Sequence, residues 1–370
     1  MISVRTTTGW LSIRIRLRVV LRWRGIESVP PAWGRCVVTI GVFDGVHRGH
    51  QQIIGHAVQS ARRADQPAVV VTFAPHPSEV VRPGSHPPVL TTQRYKAELL
   101  DEMGVDVMCV VPFTLDFSRL SPDAFVHEVL VEALHASDVV IGENFRYGHR
   151  AAGDVATLRR EGRMFGFATE GVPLLRDGDL TISSTYVRTC VAGGEVSAAA
   201  QAMGRPHRVE GVIVRGDGRG RAIGFPTANV EPVPHAAIPA DGVYAGWLVR
   251  GREPHHVLGP EPVRGPAAIS VGTNPTFEGR ARRVEAYLLD FDGDLYGDHV
   301  AVEFTTRLRD MQRFGRVEDL VARMHGDVAR TRELLDAPSG PPASGPPADS
   351  SLPCPEGTAE PTPGPGSSPV

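Results

Sequence analysis

The chain has 370 residues, 41% of them apolar, and a formal net charge of -3. That length predicts two domains with trimmings, and a balance without basic excess excludes the usual profile of a nucleic-acid binder. Lys96 is the only lysine and no GK[ST] triplet occurs. A Walker A loop is therefore excluded, and phosphate must be met by Arg, backbone N–H groups, helix ends or metal.

The four cysteines, Cys36, Cys109, Cys190 and Cys354, have no CxxC spacing. They suggest neither zinc nor disulfides, and a reducing, cytoplasmic location is expected. No apolar run approaches the length of a membrane span, so no membrane partner is expected.

Residues 1–19 are Arg-rich and lack both a continuous apolar core and a small-residue cleavage site. The expectation is a disordered extension, or a start codon placed too early, rather than a targeting peptide. Short β-branched runs follow at 36–40, 69–73, 107–111 and 139–141, with helical stretches at 51–64 and 92–102 between them. That alternation predicts a doubly wound α/β domain over residues 20–187, with a parallel sheet covered on both faces. An Ala-rich helical connector is expected over 188–204. Beyond Pro206 the texture changes to strands at 208–214, 242–249, 267–271 and 284–289, separated by Gly/Pro turns, with one helical stretch at 317–335. This predicts a mainly antiparallel β-barrel with a C-terminal helix over 205–336. Residues 255–264 read as a variable hairpin loop, and 337–370, rich in Pro and Ser, as a disordered tail.

The first chemical constellation is Gly41-Val42-Phe43-Asp44-Gly45-Val46-His47-Arg48-Gly49-His50. It lies where a strand ends and a helix begins, the place where open α/β sheets bind ligands. His47 and His50 are three apart, so one helical turn presents both imidazoles to one ligand. A lone histidine is more often structural, but an H-x-G-H pair after a strand is far more specific.

This stretch resembles the HxGH superfamily of nucleotidyltransferases. Thr72-Phe73-Ala74-Pro75-His76-Pro77, Gly142-Glu143-Asn144-Phe145 and Ser183-Ser184-Thr185-Tyr186-Val187-Arg188 resemble further segments of its bacterial FAD synthetase branch. The resemblance implies that His47 and His50 contact ATP phosphates in a cradle containing Gly41, Phe43, Asp44 and Gly49. It also implies that Ser184, Thr185 and Arg188 bind nucleotide phosphates and that Asn144 helps hold substrate. His76 is a secondary candidate. Taken singly, Asn144 reads as a turn residue, Ser184 as a helix N-cap, Arg188 as a solvated charge and His76 as a turn former.

The second constellation runs from Gly211 to Asn229 and contains Gly216-Asp217-Gly218-Arg219-Gly220-Arg221, then Gly224-Phe225-Pro226-Thr227-Ala228-Asn229. A Gly-rich loop alone is an ordinary barrel turn. Followed by Pro-Thr-Ala-Asn, it resembles the riboflavin kinase family. That resemblance implies Mg²⁺ held by Thr227 and Asn229, with Gly218, Arg219 and Arg221 around ATP. Strand alternation puts Glu285 on the face opposite Val284, Ala286 and Leu288. On periodicity alone Glu285 is an exposed carboxylate; the resemblance makes it the general base for the ribityl hydroxyl. Arg309 and Arg313 read equally well as phosphate ligands or structural ion pairs.

Together the two modules resemble the bacterial bifunctional riboflavin kinase/FMN adenylyltransferase family over about residues 20–335. The expected substrates are riboflavin, FMN and ATP, with Mg²⁺, and a homo-oligomer is left open. Two other readings stay open on the residues alone. One is a nucleotidyltransferase with a different phosphate acceptor, which the second constellation disfavours. The other is a non-catalytic flavin-binding protein, against which the intact His47, His50, Thr227, Asn229 and Glu285 argue.

Overall fold

Valine-rich runs that alternate with amphipathic stretches build the first half of the chain. The computed structural model describes residues 2–6, 9–13, 20–216, 218–251, 262–276 and 279–336. Strands β1 (Ile2–Thr6) and β2 (Gly9–Ile13) pair as an antiparallel hairpin, on the segment for which the sequence offered only an unordered extension. The strands β3 (Leu21–Arg24) and β4 (Cys36–Ile40) follow, then helix α1 (Arg48–Ala64) and β5 (Ala68–Ala74). Next come α2 (Pro77–Val81), α3 (Gln93–Glu102), β6 (Val107–Pro112) and α4 (Pro122–Phe125), which continues as a π-helical stretch over Val126–Ala133. Strands β7 (Ala136–Gly142) and β8 (Ala168–Val172) flank α5 (Val155–Phe165).

Strands β3 to β8 form one parallel sheet in the order β3-β6-β5-β4-β7-β8. β4 is buried along its whole length, which its Cys-Val-Val-Thr-Ile sequence requires of a strand covered on both faces. From β4 the chain proceeds to β5 on one side, while β7 lies on the other. The strand order therefore reverses at β4 and β7, and a crevice opens at their carboxyl ends.

Two short strands, β9 (Arg176–Asp177) and β10 (Leu180–Thr181), precede the helices α6 (Ser184–Gly193) and α7 (Val196–Met203). Gly194 in the left-handed conformation ends α6, so the connector is two helices rather than one. A closed antiparallel barrel follows, in the order β11-β12-β15-β14-β13-β16. Its strands are β11 (His207–Val214), β12 (Ala228–Pro232), β13 (Gly242–Arg250), β14 (Val263–Thr276), β15 (Gly279–Leu288) and β16 (His299–Arg309). A one-turn helix, α8 (Arg219–Ala222), lies between β11 and β12, and α9 (Val317–Asp336) closes the described chain. Alternate residues fill the barrel, among them Val209, Ile213, Val230, Ile269, Val284, Ala286 and Phe304.

β14 begins at Val263, so the end of the stretch expected as a loop over 255–264 is strand; residues 252–261 lie outside the described residues. The expected tail at 337–370 and Cys354 also lie outside them. The sheet and the barrel belong to one compact unit, Met1–Leu335. Among the described residues no helix is long and apolar enough to cross a membrane.

Candidate active sites

The first site grows from the loop between β4 and α1. His47 caps α1: its Nδ1 accepts a hydrogen bond from the His50 amide at 3.3 Å, so the helix starts at Arg48 rather than near residue 51. This bond leaves the proton of the neutral His47 ring on Nε2, available to an acceptor. The His47 and His50 rings stack with centroids 3.5 Å apart, and Phe43 meets His50 edge-on at 5.2 Å. The spacing thus does bring both imidazoles together. Gly49 lies in the first turn of α1, and Gly41 directly follows β4.

The loop is bent hard. Phe43 (φ 48°) and Val46 (φ 39°) hold positive φ although neither is glycine, and Gly45 between them has φ 83°. Such backbone persists only where its surroundings over-determine it. Here nearly every loop carbonyl has a donor. Val42 O accepts from Lys96 Nζ at 2.7 Å and Thr72 Oγ1 at 2.9 Å, and Asp44 O accepts from Ser184 Oγ at 2.8 Å. Gly45 O accepts from Arg205, and Val46 O from Arg205 at 3.0 Å and Gln51 Nε2 at 2.8 Å. The buried Asp44 carboxylate accepts the Leu90 and Thr91 amides and pairs with Arg188 at 2.5 Å.

Burial pushes the His47 imidazole down to about 4; Asp44 opposes this, while Arg205 and Arg188 add to it. His50 lies well below its ordinary value for the same first reason, with His47, Lys96, Arg188 and Arg205 reinforcing it. Both rings are therefore neutral at pH 7 before an anion arrives. Burial also lowers Lys96 to about 8, against the pull of Asp44.

The other residues expected here divide. Ser184 faces the loop through Asp44 O, but the N-cap of α6 is Ser183, whose side chain accepts the Tyr186 amide. Thr185 is exposed in the first turn of α6. Arg188 is engaged with Asp44 and, through Nε at 2.7 Å, with Pro88 O. His76 caps α2 by accepting the Ser78 amide at 3.2 Å, a turn-forming role. Asn144 sits exposed in the turn after β7, its Oδ1 lying 3.2 Å from where a side chain at Gly142 would begin. Lys96, Arg205 and Gln51 were not among the expected residues. Lys96 stood out only as the single lysine, and Arg205 carried no motif.

The second site lies on the outer wall of the barrel. Register places Asn229 on β12 opposite Glu285 on β15, and Glu285 opposite Ser270 on β14. Cross-strand partners share a face about 5 Å apart. Val284 and Ala286 fill the barrel while Glu285 points outward, as the alternation predicted. A cavity of about 470 Å³ collects Gly218, Arg221, Thr227, Asn229, Ser270 and Glu285. Gly216 lines it too; a Cβ there would lie 2.3 Å from Asn229 Nδ2, so only glycine allows this approach. The Arg219 side chain lies outside the described residues.

An adjoining apolar cavity of about 240 Å³ shares Thr227 and Glu285 and is walled by Phe225, Tyr287, Met311, Phe314 and, from α9, Leu320 and Met324. Arg309 is at its edge, tied to Asp327 of α9 at 2.7 Å, which makes it a structural ion pair. No cluster of three or more His, Cys, Asp or Glu fit for a metal occurs among the described residues. Thr227 and Asn229 instead offer hard oxygens that suit a Mg²⁺ completed by phosphate and water.

A family model described as FAD synthetase matches residues 29–186, and one described as riboflavin kinase matches residues 203–335. The bifunctional riboflavin kinase/FMN adenylyltransferase of Escherichia coli K12 is 36% identical over 84% of this chain and 97% of its own. The protein of that name from Listeria monocytogenes is 38% identical over 81% of this chain and 92% of its own. A crystal structure from Streptococcus pneumoniae, titled a macrolide-efflux protein, superposes with a TM-score of 0.74 at 30% identity, covering 85% of this chain and 99% of that one.

Proposed function

This chain belongs to the bifunctional riboflavin kinase/FMN adenylyltransferase family, and from that premise we propose how its residues divide the work. The enzyme phosphorylates riboflavin to FMN and transfers AMP from ATP to FMN, giving FAD.

In the kinase step the ribityl 5′-oxygen forms a bond to the γ-phosphorus of ATP, the γ-phosphorus bond to the bridging oxygen breaks, and ADP leaves. A hydroxyl is a poor nucleophile until a placed base takes its proton, and Glu285 is that base. The apolar cavity beside Glu285 suits a flavin ring, and the glycine-lined cavity suits the triphosphate, with Arg221 and backbone amides around it. Gly218 and Arg219 of the same loop are assigned to the triphosphate as well. Thr227 and Asn229 would hold Mg²⁺, which supplies charge neutralisation on the phosphates when bound.

In the adenylyl transfer an FMN phosphate oxygen attacks the α-phosphorus of ATP, and pyrophosphate leaves. The nucleophile is already an anion, so no base is required; placement and neutralisation of charge are. His47 and His50 donate to phosphate oxygens as neutral rings, in a loop formed by Gly41, Phe43 and Asp44 with Gly49 behind it. We assign Ser184, Thr185 and Arg188 to the nucleotide phosphates and Asn144 to the substrate, while His76 shapes the turn into α2. The use of ATP as co-substrate makes the cytoplasm the compartment we assign.

The observation that carries this reading is the convergence of Thr227 and Asn229 with Glu285, from two distant places in the chain, on one cavity. Incubation with riboflavin, ATP and Mg²⁺, with flavins resolved over time, should yield FMN and then FAD. Unchanged riboflavin would sink the kinase assignment, and FMN without FAD would sink the adenylyltransferase assignment.

A further inference from the structure

The loop that carries His47 is held partly from outside its own sheet. Arg205 lies between α7 and β11, and its guanidinium donates to Gly45 O and to Val46 O at 3.0 Å, the two carbonyls just before His47. The strain at Phe43 and Val46 means that this loop keeps its shape only while its braces hold. Arg205 is linked to the barrel through Tyr95 of α3. It sits over the Tyr95 ring at 5.5 Å, and Arg208 covers the same ring at 4.0 Å. Arg208 on β11 pairs with Glu303 on β16 at 2.7 Å, so the stack is anchored in the barrel wall. Thr92 at the start of α3 bonds Glu210 on β11, and Gln51 Nε2 ties Val46 O to Met203 O at 2.8 and 2.7 Å.

We propose that Arg205 is a positioning residue for adenylyl transfer, through which the barrel sets the geometry of the loop bearing His47. The inference rests on the site assignment above and goes beyond it, because Arg205 belongs to neither motif. Arg205 acts through backbone carbonyls, so removing it lets the loop relax and moves the His47 donor off the phosphate. A displacement of about 1 Å at such a group costs up to roughly 100-fold in rate. The groups facing His47 from the surrounding elements are Asp44, His50, Arg188 and Arg205, with Lys96 reaching His50.

The test uses the full chain carrying Arg205→Met or Arg205→Lys, with both reactions measured on the same preparations. Arg205→Met should lower kcat for FAD formation from supplied FMN roughly 10- to 100-fold, leaving riboflavin phosphorylation unchanged. The acid limb of its adenylyl-transfer pH profile should move to higher pH, since one cation that keeps His47 neutral is gone. Arg205→Lys should recover part of the rate, because an ammonium serves one of the two carbonyls. Wild-type kcat and pH profile in Arg205→Met would overturn the proposal. So would equal loss of both activities, the mark of a general folding defect. A wild-type chain that makes FMN but never FAD would overturn it together with the site assignment.

Discussion

The two candidate sites solve opposite problems. The loop at β4 is small and buried, with its carbonyls braced by Thr72, Lys96, Ser184, Gln51 and Arg205. The barrel site is a wide cavity lined by glycines and hard oxygens, with an apolar annex under α9. Joining one anion to another needs fixed donors where water is excluded, because the reaction supplies its own nucleophile. Phosphorylating a neutral alcohol needs a base and room for a large flat ring beside the triphosphate. The same chain therefore spends buried polar groups on one site and backbone freedom on the other.

That contrast can be broken most sharply at Glu285. Glu285→Gln keeps the shape but removes the carboxylate proposed as the base, and FMN formation should fall about 10²- to 10⁴-fold. FAD formation from supplied FMN should stay at the wild-type rate, as followed by flavin chromatography. A parallel loss of both would show that the sites are not separate. Next in size, His47→Ala combined with His50→Ala should cost adenylyl transfer about 10²- to 10³-fold and leave the kinase untouched. A double variant that still makes FAD at full speed would mean the stacked imidazoles are only structural.

Asn229→Ala removes one hard oxygen from the kinase cavity. The Mg²⁺ concentration giving half-maximal FMN formation should rise on the order of tenfold, equivalent to about 1.4 kcal/mol. An unchanged Mg²⁺ titration would remove Asn229 from the metal role. The smallest effect is on stability. His47 and His207 are both held down to about 4, chiefly by burial. Their folded values lie below the 6.5 of a free imidazole, so their stabilisation is full above that pH. It drains as pH falls from 6.5 through 4, because the unfolded chain takes up protons first. Calorimetry over this window should show Tm falling, less steeply for His47→Gln. A flat profile would mean that these rings are not held neutral.

Much of this was legible in the residues. Val-rich runs predicted the parallel strands β4 to β7, and alternation alone turned Glu285 away from Val284 and Ala286. The H-x-G-H spacing predicted that His47 and His50 would share a turn. Other features were illegible for physical reasons. Ser183 and Ser184 are equally good caps, and only the approach of Asp44 O decides which one caps α6. Edge strand β3 is too short to announce itself, and the π-helical stretch after α4 has no signature in composition. Arg309 gave no sign of whether it would meet phosphate or Asp327.

The sequence by itself determined the chemistry on offer: two imidazoles after a strand, a Pro-Thr-Ala-Asn turn after glycines, a carboxylate on an outward strand position. These depend on local spacing, which helix and strand periods convert directly into direction. Only the tertiary structure decided what stands opposite what. The pairing of β12, β15 and β14 brought Asn229, Glu285 and Ser270 to one face. The packing of β11 against α3 brought Arg205 to the carbonyls of Gly45 and Val46, 160 and 159 positions away. Contacts of that separation are set by strand order and by the closure of a barrel, and no local pattern encodes them.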